Sequence, residues 1–401
     1  MSVLLVCLAL VCLAWWGVAA ATLRTARQTR RLVELPLPPP EAALPGLTVI
    51  CAARDEEAGL EEALRARLAS DYPALRVILV DDRSRDRTGE IARALAAEDE
   101  RLQVIHNREL PPGWLGKLNA LRLGAEAAGT DYLLFSDADV VVSPETLRRA
   151  VAACEREGWE VLSALPTFEA RSWVLGTIYA CFLQLLYPGM RPRAVEDPAH
   201  PHGVGVGAFT LVRRAALERS PGLKALRMEV ADDLMLGRLL KAAGAKSTIV
   251  DGAGAVRVAI YRSAAAFVRG AEKNAWAVSA NFSLAQGLAA TLGALALWFS
   301  PLLLTGIALA TGRPALAALG GATQAAVTLL SMGLLHRNAQ PPWPGLLWPV
   351  GAAIFVWASL QGTILGWRRG GLQWRDTFHP TADFLAYQRE RDARGWFDRS
   401  A

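Results

Sequence analysis

Cysteine is scarce and poorly placed for cross-linking. Cys7, Cys12, Cys51, Cys154 and Cys181 are odd in number, and no two stand in a CxxC pair. That pattern argues against a disulfide framework and against a structural zinc site. Histidine is just as sparse: His106, His200, His202, His336 and His379 form no HExxH or other compact ligand set. Charged residues make up only 20% of the 401, and the net charge of +5 is too small to argue for a nucleic-acid partner. No internal repeat or low-complexity tract is present.

What the chain has in excess is apolar sequence, 52% of all residues, gathered into blocks. Ser2–Thr22, Ser283–Ala310, Pro314–Leu335 and Pro341–Trp367 contain no Asp, Glu, Lys or Arg. A helix of about 20 such residues crosses a bilayer core, so the sequence predicts a membrane protein. The first block has no basic residue before it, while Arg24, Arg27, Arg30 and Arg31 follow. A cleaved signal peptide carries its charge in the opposite order. The block therefore reads as a retained anchor at residues 1–23, with the following domain on the cytoplasmic side of the cell (inner) membrane. Three further crossings within 283–367 would leave Arg368, Arg369 and Arg375 outside, against the same charge rule, so Ser300-Pro301 suggests a re-entrant segment or tight hairpin.

A basic, Pro-rich linker spans 24–46, and a domain of mixed character runs over 47–263. An interfacial segment covers 264–282 and a polar tail 368–401. Strand-length apolar runs at Leu47–Ala52, Leu75–Val80, Leu102–Ile105 and Tyr132–Phe135 alternate with helical patterns near Leu60–Ala69, Gly89–Ala97 and Lys117–Ala128. Ser143-Pro144 looks like a capped helix start. Strands alternating with helices predict an α/β fold with a mostly parallel sheet, and ligands of such sheets collect beyond the strands' carboxyl ends. Trp173–Met190 is a further apolar stretch inside this domain. It reads as a helix lying on or dipping into the membrane, or as a buried core helix.

Acidic residues emerge where two of these strands end. Val80-Asp81-Asp82-Arg83-Ser84-Arg85-Asp86-Arg87-Thr88 follows the second, and Ser136-Asp137-Ala138-Asp139 follows the fourth. Residues two apart in extended chain face the same way, so Asp137 and Asp139 can meet one target. Adjacent carboxylates repel unless a cation neutralises them, and their hard oxygens suit Mg²⁺ or Mn²⁺. The plain alternative is an acidic turn. A second cluster, Asp232-Asp233-Leu234-Met235-Leu236-Gly237, opens a helix. There the acids either complement the helix dipole or, at Asp233, take a proton from a hydroxyl.

Taken with Ala53-Arg54-Asp55-Glu56-Glu57, these runs resemble the family 2 glycosyltransferases with a GT-A nucleotide-sugar-binding fold. Pro111-Pro112-Gly113-Trp114-Leu115-Gly116-Lys117 resembles the PPGWxGK segment of membrane members that glycosylate lipids, such as ceramide, hopanoid-associated or carotenoid glycosyltransferases. Gly371-Leu372-Gln373-Trp374-Arg375 is similar to their WRG-like tail motif, with Asp376 where Gly is usual. The resemblance implies an inverting, metal-dependent transferase that moves sugar from a nucleotide-sugar donor, a UDP-sugar by expectation, to a lipid acceptor. Position by position it implies that Ala53, Glu56 and Asp82 hold base and ribose, with Arg54 and Asp232 also in the donor site. Lys117 would approach the diphosphate, Asp137 the sugar, and Asp139, with Asp137, the Mg²⁺ or Mn²⁺. Asp233 would be the base.

Where related enzymes carry QxxRW, this chain has Glu272-Lys273-Asn274-Ala275-Trp276. Lys273 is expected to supply the missing positive charge at the diphosphate, and Trp276 to line the donor site or anchor at the bilayer interface. The loss argues against a processive polymerase. A polyprenyl-phosphate- or polysaccharide-directed glycosyltransferase is an alternative. So is a haloacid-dehalogenase-type phosphatase with Asp137 as nucleophile, Asp232-Asp233 on Mg²⁺ and Lys224 upstream. The non-enzymatic alternative is a membrane scaffold that keeps the fold.

Overall fold

Continuous runs of Val, Ile and Leu place strands where both faces are covered, and that is the pattern of the central sheet. The computed structural model describes residues 3–374 and 377–398. Its strands are β1 (Leu47–Ala53), β2 (Leu75–Asp82), β3 (Leu102–Asn107), β4 (Tyr132–Phe135), β5 (Val141–Val142) and β6 (Val161–Leu165). They are followed by β7 (Thr167–Phe168), β8 (Thr210–Arg213), β9 (Ser247–Asp251), β10 (Val256–Val258), β11 (Gly371–Trp374) and β12 (Thr377–Pro380). The main sheet runs β3-β2-β1-β4-β8-β6-β9, beside a small sheet β5-β10-β7 and the hairpin β11-β12. Strand β8 pairs antiparallel with β4 and with β6, and the remaining pairings in the main sheet are parallel.

The register aligns chemistry at one edge. Ala53 stands opposite Asp81, and Asp82 opposite Asn107. Strand β4 pairs with β1 only as far as Ile50 and Phe135, so the chain leaves the sheet early at Ser136-Asp137. The order reverses at β1 and β4, the switch point where open α/β sheets form a crevice.

The chain divides into two compact units that interleave in sequence. Residues 29–167, 192–259 and 383–398 form the sheet-bearing unit, and residues 3–28, 168–191, 260–374 and 377–382 form a helical one. The expected continuous domain over 47–263 is thus interrupted by the helix Trp173–Met190, and the polar tail from 383 groups with the sheet.

Among the described residues five helices are long and apolar enough to cross a membrane: Val3–Gln28, Trp173–Glu196, Leu284–Ala310, Pro314–Arg337 and Trp343–Arg369. Many of their residues face outward and apolar, Leu309 at 67% exposure and Leu329 at 69% among them, a surface suited to lipid. Inside the helical unit Trp15, Cys181, Trp298, Val327, Trp348 and Ala352 form one cluster. Trp173–Met190 belongs to this packing, with Ile178, Cys181, Leu183 and Tyr187 buried, rather than lying flat as an isolated surface helix. Its polar Gln184 bonds to the Ser331 hydroxyl at 2.5 Å, which satisfies both groups where water is absent.

Ser300-Pro301 does not break its segment. The helix Leu284–Ala310 is continuous through Pro301. Proline lacks the N–H that would bond the carbonyl four residues back; the Trp15 indole N–H donates to that carbonyl, Leu297, instead. Ser143 likewise does not cap a helix. The helix runs Thr146–Glu157, and the Ser143 hydroxyl donates to the Gly254 carbonyl at 3.3 Å. Gly371–Trp374 forms β11, but Arg375 and Asp376 of the tail motif lie outside the described residues.

Candidate active site

The sheet-bearing unit brings four of the expected residues into one pocket: Lys117, Asp137, Asp232 and Asp233 all line it. Lys117 lies in the first turn of the helix Gly116–Ala127, and Asp232 and Asp233 open the helix Asp232–Ala242. The Lys117 ammonium sits 2.8 Å from Asp137 Oδ1 and 3.0 Å from Asp232 Oδ2. An ammonium has three donors, so two hold the acids and one is left for a ligand. Burial alone would lower its pKa; the charges of Asp137, Asp232 and Asp233 outweigh that and raise it well above the usual lysine value.

Asp233 is held by backbone. The Gly207 N–H donates to its Oδ2 and the Leu234 N–H to its Oδ1, each at 2.8 Å. Burial, then repulsion from Asp232, raises its pKa against the opposing pull of Lys117. A carboxylate with a raised pKa is a stronger base than an ordinary aspartate.

Gly207 joins the two acidic clusters and was not foreseen from sequence. Its carbonyl accepts the Asp137 N–H at 3.0 Å while its own N–H serves Asp233. A Cβ added there would stand 2.9 Å from Asp137 Oδ2 and 3.2 Å from Asp233 Oδ2, so the two carboxylates flank one point. The alternation Gly203, Gly205, Gly207 is the signal for this: every second residue faces the helix Asp232–Ala242. At Gly205 a Cβ would lie 2.0 Å from the Asp233 carbonyl oxygen. Gly205→Ala should therefore destabilise the protein by about 2 kcal/mol or more, read as a thermal midpoint lowered by several degrees.

Asp139 differs from its neighbours, because no described cation pairs with it. Burial first, then Asp137 and Glu56, push its pKa up to about 7. Among the described residues no three His, Cys, Asp or Glu side chains group as a ready cage. Mg²⁺ sites in general use one or two carboxylates and complete their shell with water and substrate phosphates. A buried carboxylate short of positive charge, two residues from a second one, fits such an ion.

Arg67 is the second residue missed. Its guanidinium is buried and donates to the carbonyl of Asp137 at 2.5 Å, the carbonyl of Ala138 at 3.2 Å and the Ser136 hydroxyl at 3.1 Å. It thereby fixes the turn that presents Asp137 and Asp139. The sequence signal was a charge on a core stripe: Leu60, Ala63, Leu64 and Arg67 follow helical spacing and all are buried.

The first loop is shaped by the second. The N–H groups of Asp55, Glu56 and Glu57 donate to Ser84 Oγ, Thr88 Oγ1 and Asp86 Oδ2 at 3.1, 2.8 and 3.0 Å. Ser84, Asp86 and Thr88 therefore position the chain around Arg54 and Glu56. Asp82 is buried and already accepts two bonds from Arg83 at 2.9 Å and one from Asn107 at 2.8 Å, with Arg54 at 3.9 Å. Ala53 is buried at the end of β1.

Lys273 and Trp276 lie in the helical unit. Lys273 stands over the Trp374 ring at 4.7 Å. Trp276 is 3% exposed, in the π-helical turn Asn274–Ser279, and donates from Nε1 to Thr381 Oγ1 at 3.2 Å. It is packed inside the unit, so an anchor at the headgroups is not what holds it. His200 and His202 pair with each other, their rings 6.1 Å apart, and do not line the pocket.

The family whose pattern matches this chain is Glycosyl transferase family 21, over residues 5–377. The 4,4'-diaponeurosporenoate glycosyltransferase of Staphylococcus haemolyticus is 25% identical over 218 residues, covering 54% of this chain and 57% of that protein. The beta-monoglucosyldiacylglycerol synthase of Trichormus variabilis is 27% identical over 203 residues, covering 49% of this chain and 41% of that one. The chain thus spans about half the length of the curated relatives it matches. The mannosyltransferase PcManGT of Pyrobaculum calidifontis, in complex with GDP-Man and Mn2+, shares the fold with a TM-score of 0.51 and 20% identity. The match covers 90% of this chain and 99% of that one. The GT-A architecture is as expected, and the phosphatase alternative finds no support in the family match.

Proposed function

The chain belongs to Glycosyl transferase family 21, and on that premise we propose that it moves a sugar from a nucleotide-sugar donor to a hydroxyl of a membrane lipid. The observation that carries this reading is the convergence of Lys117, Asp137 and Asp233 at the sheet's switch point, with Asp233 backbone-held and raised in pKa. The acceptor class is suggested by the relatives, a 4,4'-diaponeurosporenoate glycosyltransferase and a beta-monoglucosyldiacylglycerol synthase, and by the five apolar helices among the described residues.

In the proposed mechanism Asp233 takes the proton of the acceptor hydroxyl as that oxygen attacks the anomeric carbon. Lys117 orients Asp137 and Asp232 and offers its remaining N–H to the leaving diphosphate. Mg²⁺ or Mn²⁺, held by Asp139 with Asp137, would supply further neutralisation of the leaving group. Arg67 keeps the Ser136–Asp139 turn rigid through these changes. One displacement inverts the anomeric centre. Nucleotide sugars are made in the cytosol, so the site would face that side of the membrane, in line with the basic residues after the first helix.

Incubating membranes that contain the protein with labelled nucleotide sugars, then extracting lipids, tests this. Label in the organic phase, stable to mild acid, is the expected result. Acid-labile label would indicate a polyprenyl-phosphate acceptor, and released inorganic phosphate without lipid label would overturn the proposal.

A further inference from the structure

The polar C-terminal segment, expected to be a simple tail, is bound to the loop that precedes Asp232. Phe384 and Tyr387 of the helix Thr381–Ala393 are buried. The Tyr387 hydroxyl donates to the Ala225 carbonyl and lies 3.2 Å from Glu229 Oε1. Arg391 Nη1 reaches the same Glu229 oxygen at 2.8 Å. Arg227 Nη2 meets Glu390 at 2.5 Å, and its guanidinium covers the Tyr387 and Trp396 rings at 5.1 and 5.9 Å.

These contacts fall on residues that also hold the site. The Arg227 carbonyl accepts the Leu115 N–H at 2.8 Å, two residues before Lys117. Leu223 and Leu226 line the same pocket as Lys117 and Asp233. Glu229 lies three residues before Asp232. Segment 222–231 thus touches the tail on one side and, on the other, the turn before Lys117 and the pocket that holds Asp233.

We propose that residues 383–398 act as a clamp that sets the placement of Lys117 and Asp233, with Arg227, Glu229, Tyr387 and Arg391 as its positioning residues. The catalytic part of this inference rests on the transferase reading; the mechanical part does not. Glu229 and Arg391 have side chains 12% and 20% exposed, so their pair is shielded from water. Hydrogen bonds to charged groups in such settings contribute more than those at a free surface. The C-terminal segment thereby becomes part of the site's rigidity.

Hydrogen exchange on the full-length protein in detergent micelles tests it directly. In Arg391→Ala combined with Tyr387→Phe, exchange at the Leu115 and Gly207 amides should rise about tenfold or more, while the β1 amides stay unchanged. Arg391→Lys should restore most of the protection. In turnover assays kcat should fall about tenfold with the donor KM held within about twofold. The proposal is overturned if the tail exchanges freely while Leu115 and Gly207 keep their protection. It is equally overturned if β1 loses protection in parallel, since the tail would then support the whole unit and not the site. If the amides respond as stated but no variant and no native protein transfers sugar, the clamp stands and the transferase reading falls.

Discussion

Asp233→Asn should reduce sugar transfer by about 10²- to 10⁴-fold, the range a positioned general base contributes, while nucleotide affinity stays near the native value. The amide keeps one oxygen for the Gly207 or Leu234 N–H, so the helix start survives. What it cannot do is take a proton. The loss should fall on kcat, because the interaction removed operates only as the hydroxyl attacks. The native enzyme should also show an acid limb in kcat above the ordinary aspartate range, since Asp233 must be ionised to act and burial beside Asp232 holds its pKa up. Steady-state kinetics against pH on both proteins checks this. The substitution separates acceptor classes as well: a phosphate acceptor is already ionised and needs no base, so a small effect would point there.

Asp139→Asn should have the second-largest effect, and with an opposite sign in stability. Turnover should fall by about 10²-fold or more, and Mn²⁺-dependent affinity for a nucleoside diphosphate by about tenfold. Binding without metal should hardly change, because the loop around Glu56 and Asp82 is untouched. In metal-free protein the thermal midpoint near pH 7 should rise. The pKa of Asp139 is raised to about 7 in the fold, above its unfolded value. Such a group favours the folded state below the unfolded pKa and forfeits that contribution as pH climbs toward 7. The variant removes the dependence. Calorimetric titration and a melting series from pH 4 to 8 read both parts.

The first half of the sheet-bearing unit could be read in advance. Strands at Leu47, Leu75, Leu102 and Tyr132 and the helices between them follow from local apolar patterns, and the end of the fourth releases Asp137, which meets the helix-opening Asp232 and Asp233 in the pocket. What could not be read depends on partners distant in sequence. The Leu297 carbonyl that Pro301 leaves without its helical donor is taken by Trp15, 282 residues from Leu297. Ser143 has a cap-like sequence context, yet Gly254 claims its hydroxyl. Arg67 shares the core stripe of its helix with Leu60, Ala63 and Leu64, but what it holds is decided by the distant carbonyls of Asp137 and Ala138. Trp173–Met190 is apolar enough to suit lipid or protein, and only the helices around it decide. The tail is charged, and its Phe384 and Tyr387 name no partner, so nothing local announces that Tyr387 and Arg391 grip the segment before Asp232.

The most direct test is an electron cryomicroscopy structure of the full chain with a nucleoside diphosphate and Mn²⁺. The account predicts the ion on Asp139, bridging to the diphosphate, with Lys117 at a phosphate oxygen and the Asp233 carboxylate open to the acceptor side. A nucleotide bound away from β1 and β4, or an ion that leaves Asp139 without contact, would contradict it.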